Sequence, residues 1–172
     1  MPRTDAALHR RCLAILNRLS LPDPFSAEKF CHQLAAQRGR PVHLHPLPKQ
    51  AARAGACGLW LETAAGDHIF YEQRTVRPHQ EHIILHEIGH MLLTHHTSDP
   101  AVAGPAALVP DLDPGLIHRL LARTNYTTRQ EREAETLASV IRVSAADPGG
   151  RSPRNAVERL QAAFGMDGTH AR

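Results

Sequence analysis

The 172-residue sequence predicts an α+β fold in which a small three-stranded sheet packs against about five to six helices, one of them carrying a metal site. Three observations predict it. Segments with apolar residues at helical spacing stand on both sides of a central run of short alternating segments, so the strands are grouped and not interleaved with helices. His86-Glu87-Ile88-Gly89-His90 sits inside a continuous apolar stretch. A further helical stretch, residues 130–141, carries the acids Glu131, Glu133 and Glu135.

The length fits one domain, and 42% hydrophobic residues are enough for an ordinary core. Within it, residues 1–40 read as N-terminal helices, 41–141 as the core of the fold, and 142–172 as a linker with a C-terminal helix. Aromatic residues make up only 4%, which counts against a stacking platform for single-stranded nucleic acid. No stretch approaches the roughly 18 consecutive apolar residues of a membrane span, and the charged N-terminus lacks a signal-peptide pattern. Cys12, Cys31 and Cys57 are odd in number and far apart, which argues against a disulfide framework and fits a reducing cytoplasm. The net charge of +3 comes from scattered arginines, the pattern of a solvated surface.

Residues 4–19 read as an amphipathic helix on Leu8, Cys12, Ile15, Leu16 and Leu19, with Thr4 or Asp5 as cap. The prolines Pro22 and Pro24 break it. Ser26 then caps a second helix to about Arg38, with Phe30 and Leu34 facing inward and Gly39 ending it. This helix pair has no polar, base-reading face, so its expected role is packing and direct nucleic-acid binding is not expected. Strands are expected over 41–47, 57–63 and 67–73, the last two joined by a turn at 64–67, with a small, flexible connection over 49–56. His43 and His45 belong to the wet face of their strand.

Pro78 fits the first turn of the next helix, where its missing N–H costs nothing. There His86 and His90 lie one turn apart on one face and can reach one ion, and Glu87 beside them fits a general base. By the helical wheel this face points away from Ile84, Ile88, Met91 and Leu92, so the helix should be buried except on its metal side. Gly89 should admit a close neighbour, a strand or the metal cleft. His82 shares the face, but it lies eight residues, about 12 Å along the axis, from His90, too far for one ion. His95 and His96 suit the dipole at the helix end. An irregular loop over 97–115 and a short helix over 114–123 follow. Thr128 then opens the acidic helix with a capping-box pattern to Glu131, and 154–164 reads as a final helix.

Glu131 and Glu135 share one face of the acidic helix, while Glu133 points elsewhere. A third protein ligand for a two-histidine site commonly comes from a separate helix. Glu131 is the candidate, with Glu135 behind it supporting a ligand histidine. Capping could also use Glu131, and the choice between the two stays open.

Together, His86 to Leu93, the segments Gly58-Leu59-Trp60-Leu61 and Ile69-Phe70-Tyr71, and Glu131-Arg132-Glu133-Ala134-Glu135 with Leu137-Ala138 resemble the ImmA/IrrE-type metallopeptidases. In that family the second motif reads E-x-E-A-(N/D)-x-F-A. Here Glu135 replaces the Asn or Asp, and Leu137 the Phe. The resemblance implies a compact zincin-like domain whose edge strand aligns an extended peptide. It implies Zn2+ as cofactor, held by His86, His90 and Glu131, with Glu87 as catalytic base. Tyr126, just ahead of the acidic helix, is a candidate donor to the oxyanion. The implied activity is hydrolysis of a peptide bond in a regulatory protein, a helix-turn-helix repressor, in a stress, mobile-element or toxin–antitoxin circuit. The alternative is a non-proteolytic module that binds a transcription factor.

Overall fold

The computed structural model describes residues 2–53, 55–95 and 126–146. The expected loop over 97–115, the helices over 114–123 and 154–164, and His96 lie outside the described residues. Within them the chain runs α1 (Pro2–Leu16), α2 (Ala27–Arg38), β1 (Val42–Pro46), α3 (Lys49–Arg53), β2 (Gly58–Glu62), β3 (Asp67–Tyr71), α4 (Arg77–Leu92) and α5 (Thr128–Ala146). This is the α+β class that the grouped strands predict.

Helix α1 starts at Pro2, so Thr4 and Asp5 lie inside it and neither caps it. Proline is well suited to a first turn, since its N–H would have no helical partner there. The helix tightens as it ends, Arg18 N–H donating to the Ile15 carbonyl at 3.0 Å and Leu19 N–H to that of Leu16 at 2.9 Å. Helix α2 follows its sequence signals closely. The Ser26 hydroxyl accepts from Lys29 N–H, and Gly39 takes the left-handed conformation at φ 63° that only glycine adopts without strain.

The sheet has the order β1-β3-β2, with β1 parallel and β2 antiparallel to β3, so β2 is an edge strand. The β2–β3 hairpin closes through Thr63 N–H to the Gly66 carbonyl at 2.9 Å. Strict alternation separates the two faces. One face, with Trp60 and Ile69 backed by Val42 and Leu44, joins a core built with α1, α2, α4 and α5. The other face packs Leu59, Leu61 and Phe70 against Leu47 and Ala51.

That second cluster corrects one expectation. Residues 49–53 form a helix and not a flexible connection, because Ala51, fully buried, lets the turn lie flat on the sheet. Glu62 is exposed at the end of β2, whereas Trp60 is buried in the main core. Its indole N–H donates to Asp67 at 3.1 Å. Asp67 has no exposed surface and also accepts from Arg38 at 2.7 Å and Arg40 at 3.1 Å, which ties the end of α2 to the hairpin. A buried carboxylate requires such partners. All three cysteines are free.

Candidate metal centre

Helix α4 is buried along Ile84, Ile88 and Met91, as its wheel predicts, and along Ile83 and Leu85, while Leu92 is half-buried; on the metal side His82 and His86 are partly exposed but His90 is buried. Gly89 is the point of closest approach to its neighbour. A Cβ there would lie 2.7 Å from the Ala134 carbonyl oxygen, so the neighbour is the backbone of α5 and not a strand or the metal cleft. Glu131 lies three residues before Ala134, on the same side of α5, and is thereby brought over the two histidines.

The capping of α5 leaves Glu131 available. The capping box falls one residue earlier than expected: Gln130 N–H donates to the Thr127 hydroxyl at 3.3 Å, and Thr127 N–H to Gln130 Oε1 at 2.9 Å. Thr128–Glu131 is therefore not the box.

His86 Nε2 and His90 Nε2 lie 3.1 Å apart. Glu131 Oε2 is 3.1 Å from the first, and Oε1 is 3.7 Å from the second. Donors held at ~2.0–2.1 Å around one tetrahedral zinc ion stand about 3.3 Å apart. The three separations bracket that value. His86, His90 and Glu131 thus form a group that can hold a metal ion, and the described residues contain no other such group. Burial, then the neighbouring His86 and His95, pushes His90 down to about 3, so its ring is neutral and has a lone pair to give.

The outer nitrogens of both rings are also held. Glu135 Oε2 is 3.5 Å from His86 Nδ1 and 3.1 Å from His82 Nε2. Glu135 therefore stands behind a histidine, and His82 lies outside the donor group. His90 Nδ1 is 3.1 Å from His95 Nδ1, and His95 Nε2 is 3.1 Å from Glu133 Oε2. Glu133 Oε1 accepts from Arg129 at 2.8 Å. Burial raises the Glu133 carboxyl, but the bonds from Arg129 and His95 outweigh it and hold it below the usual range.

Neither His95 nor Glu133 stands out as a site residue in the sequence. His95 is 5% exposed and is not a surface residue at the helix end. The reason lies in how α4 ends: Thr94, at φ 55°, turns the chain back, with His95 N–H on the His90 carbonyl at 3.0 Å and Thr94 N–H on that of Met91 at 3.3 Å. Glycine or asparagine would have signalled such a turn, whereas threonine does not.

Glu87 is buried on the other side of the group, against β2. A Cβ at Gly58 would lie 2.5 Å from its Oε1 and 2.8 Å from Ile83 Cγ2, so a side chain there would displace the carboxyl. Burial and the Glu131 charge push its carboxyl up to about 8, against a backbone N–H of Trp60 that lowers it. Its Oε2 is buried without a hydrogen-bond partner. The Tyr126 hydroxyl is likewise buried without one, and its ring stacks on His90 at 3.7 Å. Burial, then the Glu87 and Glu131 charges, raises the Tyr126 pKa, so it stays a donor. Native proteins seldom leave such atoms unpaired, and two at one site mark a place where a polar molecule belongs.

His43 is exposed, as expected, whereas His45 is half-buried. Both stack on buried His68, at 5.0 and 5.2 Å between ring centres. His45 Nε2 and His68 Nδ1 lie 2.9 Å apart, and His68 Nε2 is 3.3 Å from the Thr63 hydroxyl, so the nitrogens of His68 are taken up within the sheet and its hairpin.

Comparisons with family models, with characterised proteins and with solved structures found no match to this chain. No helix among the described residues is long and apolar enough to cross a membrane.

Proposed function

We propose that the protein is a zinc-dependent endopeptidase of zincin-like fold, resembling the ImmA/IrrE type. The observation that carries this reading is the buried, partnerless Glu87 Oε2 beside a donor group with tetrahedral spacing. His86, His90 and Glu131 would hold the ion. When bound, zinc supplies Lewis acidity and lowers the pKa of water.

The remaining chemistry belongs to the chain. An extended substrate runs beside β2, the edge strand against which Glu87 packs at Gly58. In its ionised form Glu87 takes the proton of the attacking water on Oε2 and returns it to the leaving amine. The Tyr126 hydroxyl donates to the oxygen that becomes negative as the carbonyl turns tetrahedral. The substrate class proposed from the resemblance is a helix-turn-helix repressor.

The test is to purify the full chain, measure bound zinc, and incubate it with a helix-turn-helix regulator encoded beside it. Cleavage by the wild type and its loss, by about 10²-fold or more, in Glu87→Gln with zinc retained is the expected outcome. Undiminished cleavage by Glu87→Gln would overturn the role of Glu87. Zinc binding with stable capture of the regulator and no cleavage would favour a binding module instead.

A further inference from the structure

We infer that His95 and Glu133 form a buried relay that fixes the tautomer of His90 and thereby positions it as a ligand. The inference rests on the metal-centre reading above.

The polarity of the relay follows from where it ends. The Glu133 carboxylate only accepts, so the neutral His95 ring carries its proton on Nε2 and its Nδ1 is the acceptor. His90 must therefore bring its own proton on Nδ1, which leaves the Nε2 it turns toward His86 and Glu131 with a lone pair. The Nδ1–H then points at His95 Nδ1, 3.1 Å away, which must accept. His95 in turn carries its proton on Nε2 and donates it to Glu133 Oε2 at 3.1 Å. Each bond has one permitted direction, and a carboxylate, which can only accept, ends the chain. Glu133 is itself fixed by Arg129.

Two further observations support a selected arrangement. His95 and Glu133 are 5% and 8% exposed, so two polar side chains are withdrawn from water to make these bonds. Thr94 holds a left-handed conformation that is unfavourable for a β-branched residue, and this turn is what brings His95 under His90. His95 and Glu133 are positioning residues. They act through His90, and they join the end of α4 to the same helix that supplies Glu131.

The first readout needs neither metal nor substrate. In the metal-free full-length protein, imidazole ¹⁵N NMR should show His90 as the Nδ1–H tautomer and His95 as the Nε2–H tautomer; the opposite tautomer at His90 overturns the relay. The second is zinc affinity by chelator competition. Losing both bonds in His95→Leu should weaken zinc by about 10–100-fold, whereas His95→Asn, whose Oδ1 takes the place of Nδ1, should stay within about threefold of wild type. If His95→Leu binds as tightly as wild type, or His95→Asn falls as far as His95→Leu, the relay is overturned while the metal centre stands. A wild type that binds no zinc removes the metal-centre reading, and the tautomer measurement still judges the relay.

Discussion

Glu87 is the residue whose surroundings conflict most with its charge. A carboxyl raised to about 8 from the ordinary 4.5 keeps its proton in the folded, metal-free chain where the unfolded chain has lost it. Folded protein then binds more protons, so stability falls as pH rises from about 4.5 through about 8. Urea midpoints of metal-free protein should show this fall, and Glu87→Gln should remove that part of it. A fall of the same size in the variant would mean that Glu87 is not its source. His86, Glu87 and His90 were legible in the sequence because their arrangement depends only on the helical repeat. His95 was not, because its position depends on one backbone conformation at Thr94 that the residue type disfavours.

At the scale of elements, the contact between α4 and α5 decides whether a site exists. Gly89 costs a helix roughly 1 kcal/mol against alanine, so Gly89→Ala should help α4 taken alone. In the folded chain its Cβ would meet the Ala134 carbonyl oxygen at 2.7 Å, and overpacking of this kind costs about 1–3 kcal/mol. The expected result is lower stability in urea together with weaker zinc binding, because the separation of α4 and α5 sets the reach of Glu131. A more stable variant with unchanged zinc affinity would refute this account. The sequence marked Gly89 as a place of close approach but not the partner, since which backbone arrives there is a tertiary fact. The same limit applies to α3. Its short Ala-rich turn has little helical pattern of its own and is held by the apolar face of the sheet. The one-residue shift of the α5 cap is of this kind too, because Thr127 and Thr128 offer nearly equal caps and only the Gln130 pairing separates them.

For the whole molecule, the grouping of helices around a small sheet was readable from period alone, and the edge position of β2 was not, because strand order depends on contacts far apart in sequence. Helices α4 and α5 share a core of Ile84, Ile88, Leu137 and Ile141 that contains no metal donor. Chelated protein should therefore keep its helical circular dichroism and melt cooperatively. Zinc at a hundredfold excess over its dissociation constant should add about 2.7 kcal/mol of stability. Collapse of the helical signal on chelation would refute this. The close seating of Gly89 on Ala134 then has a kinetic consequence. With the donor spacing set by two backbones before any ion arrives, zinc capture by the metal-free protein should be a single bimolecular step whose observed rate rises in proportion to zinc concentration, with no slow folding phase behind it. The gap is also sized in advance: it suits a small four-coordinate ion and offers too few oxygens for calcium, which prefers six to eight.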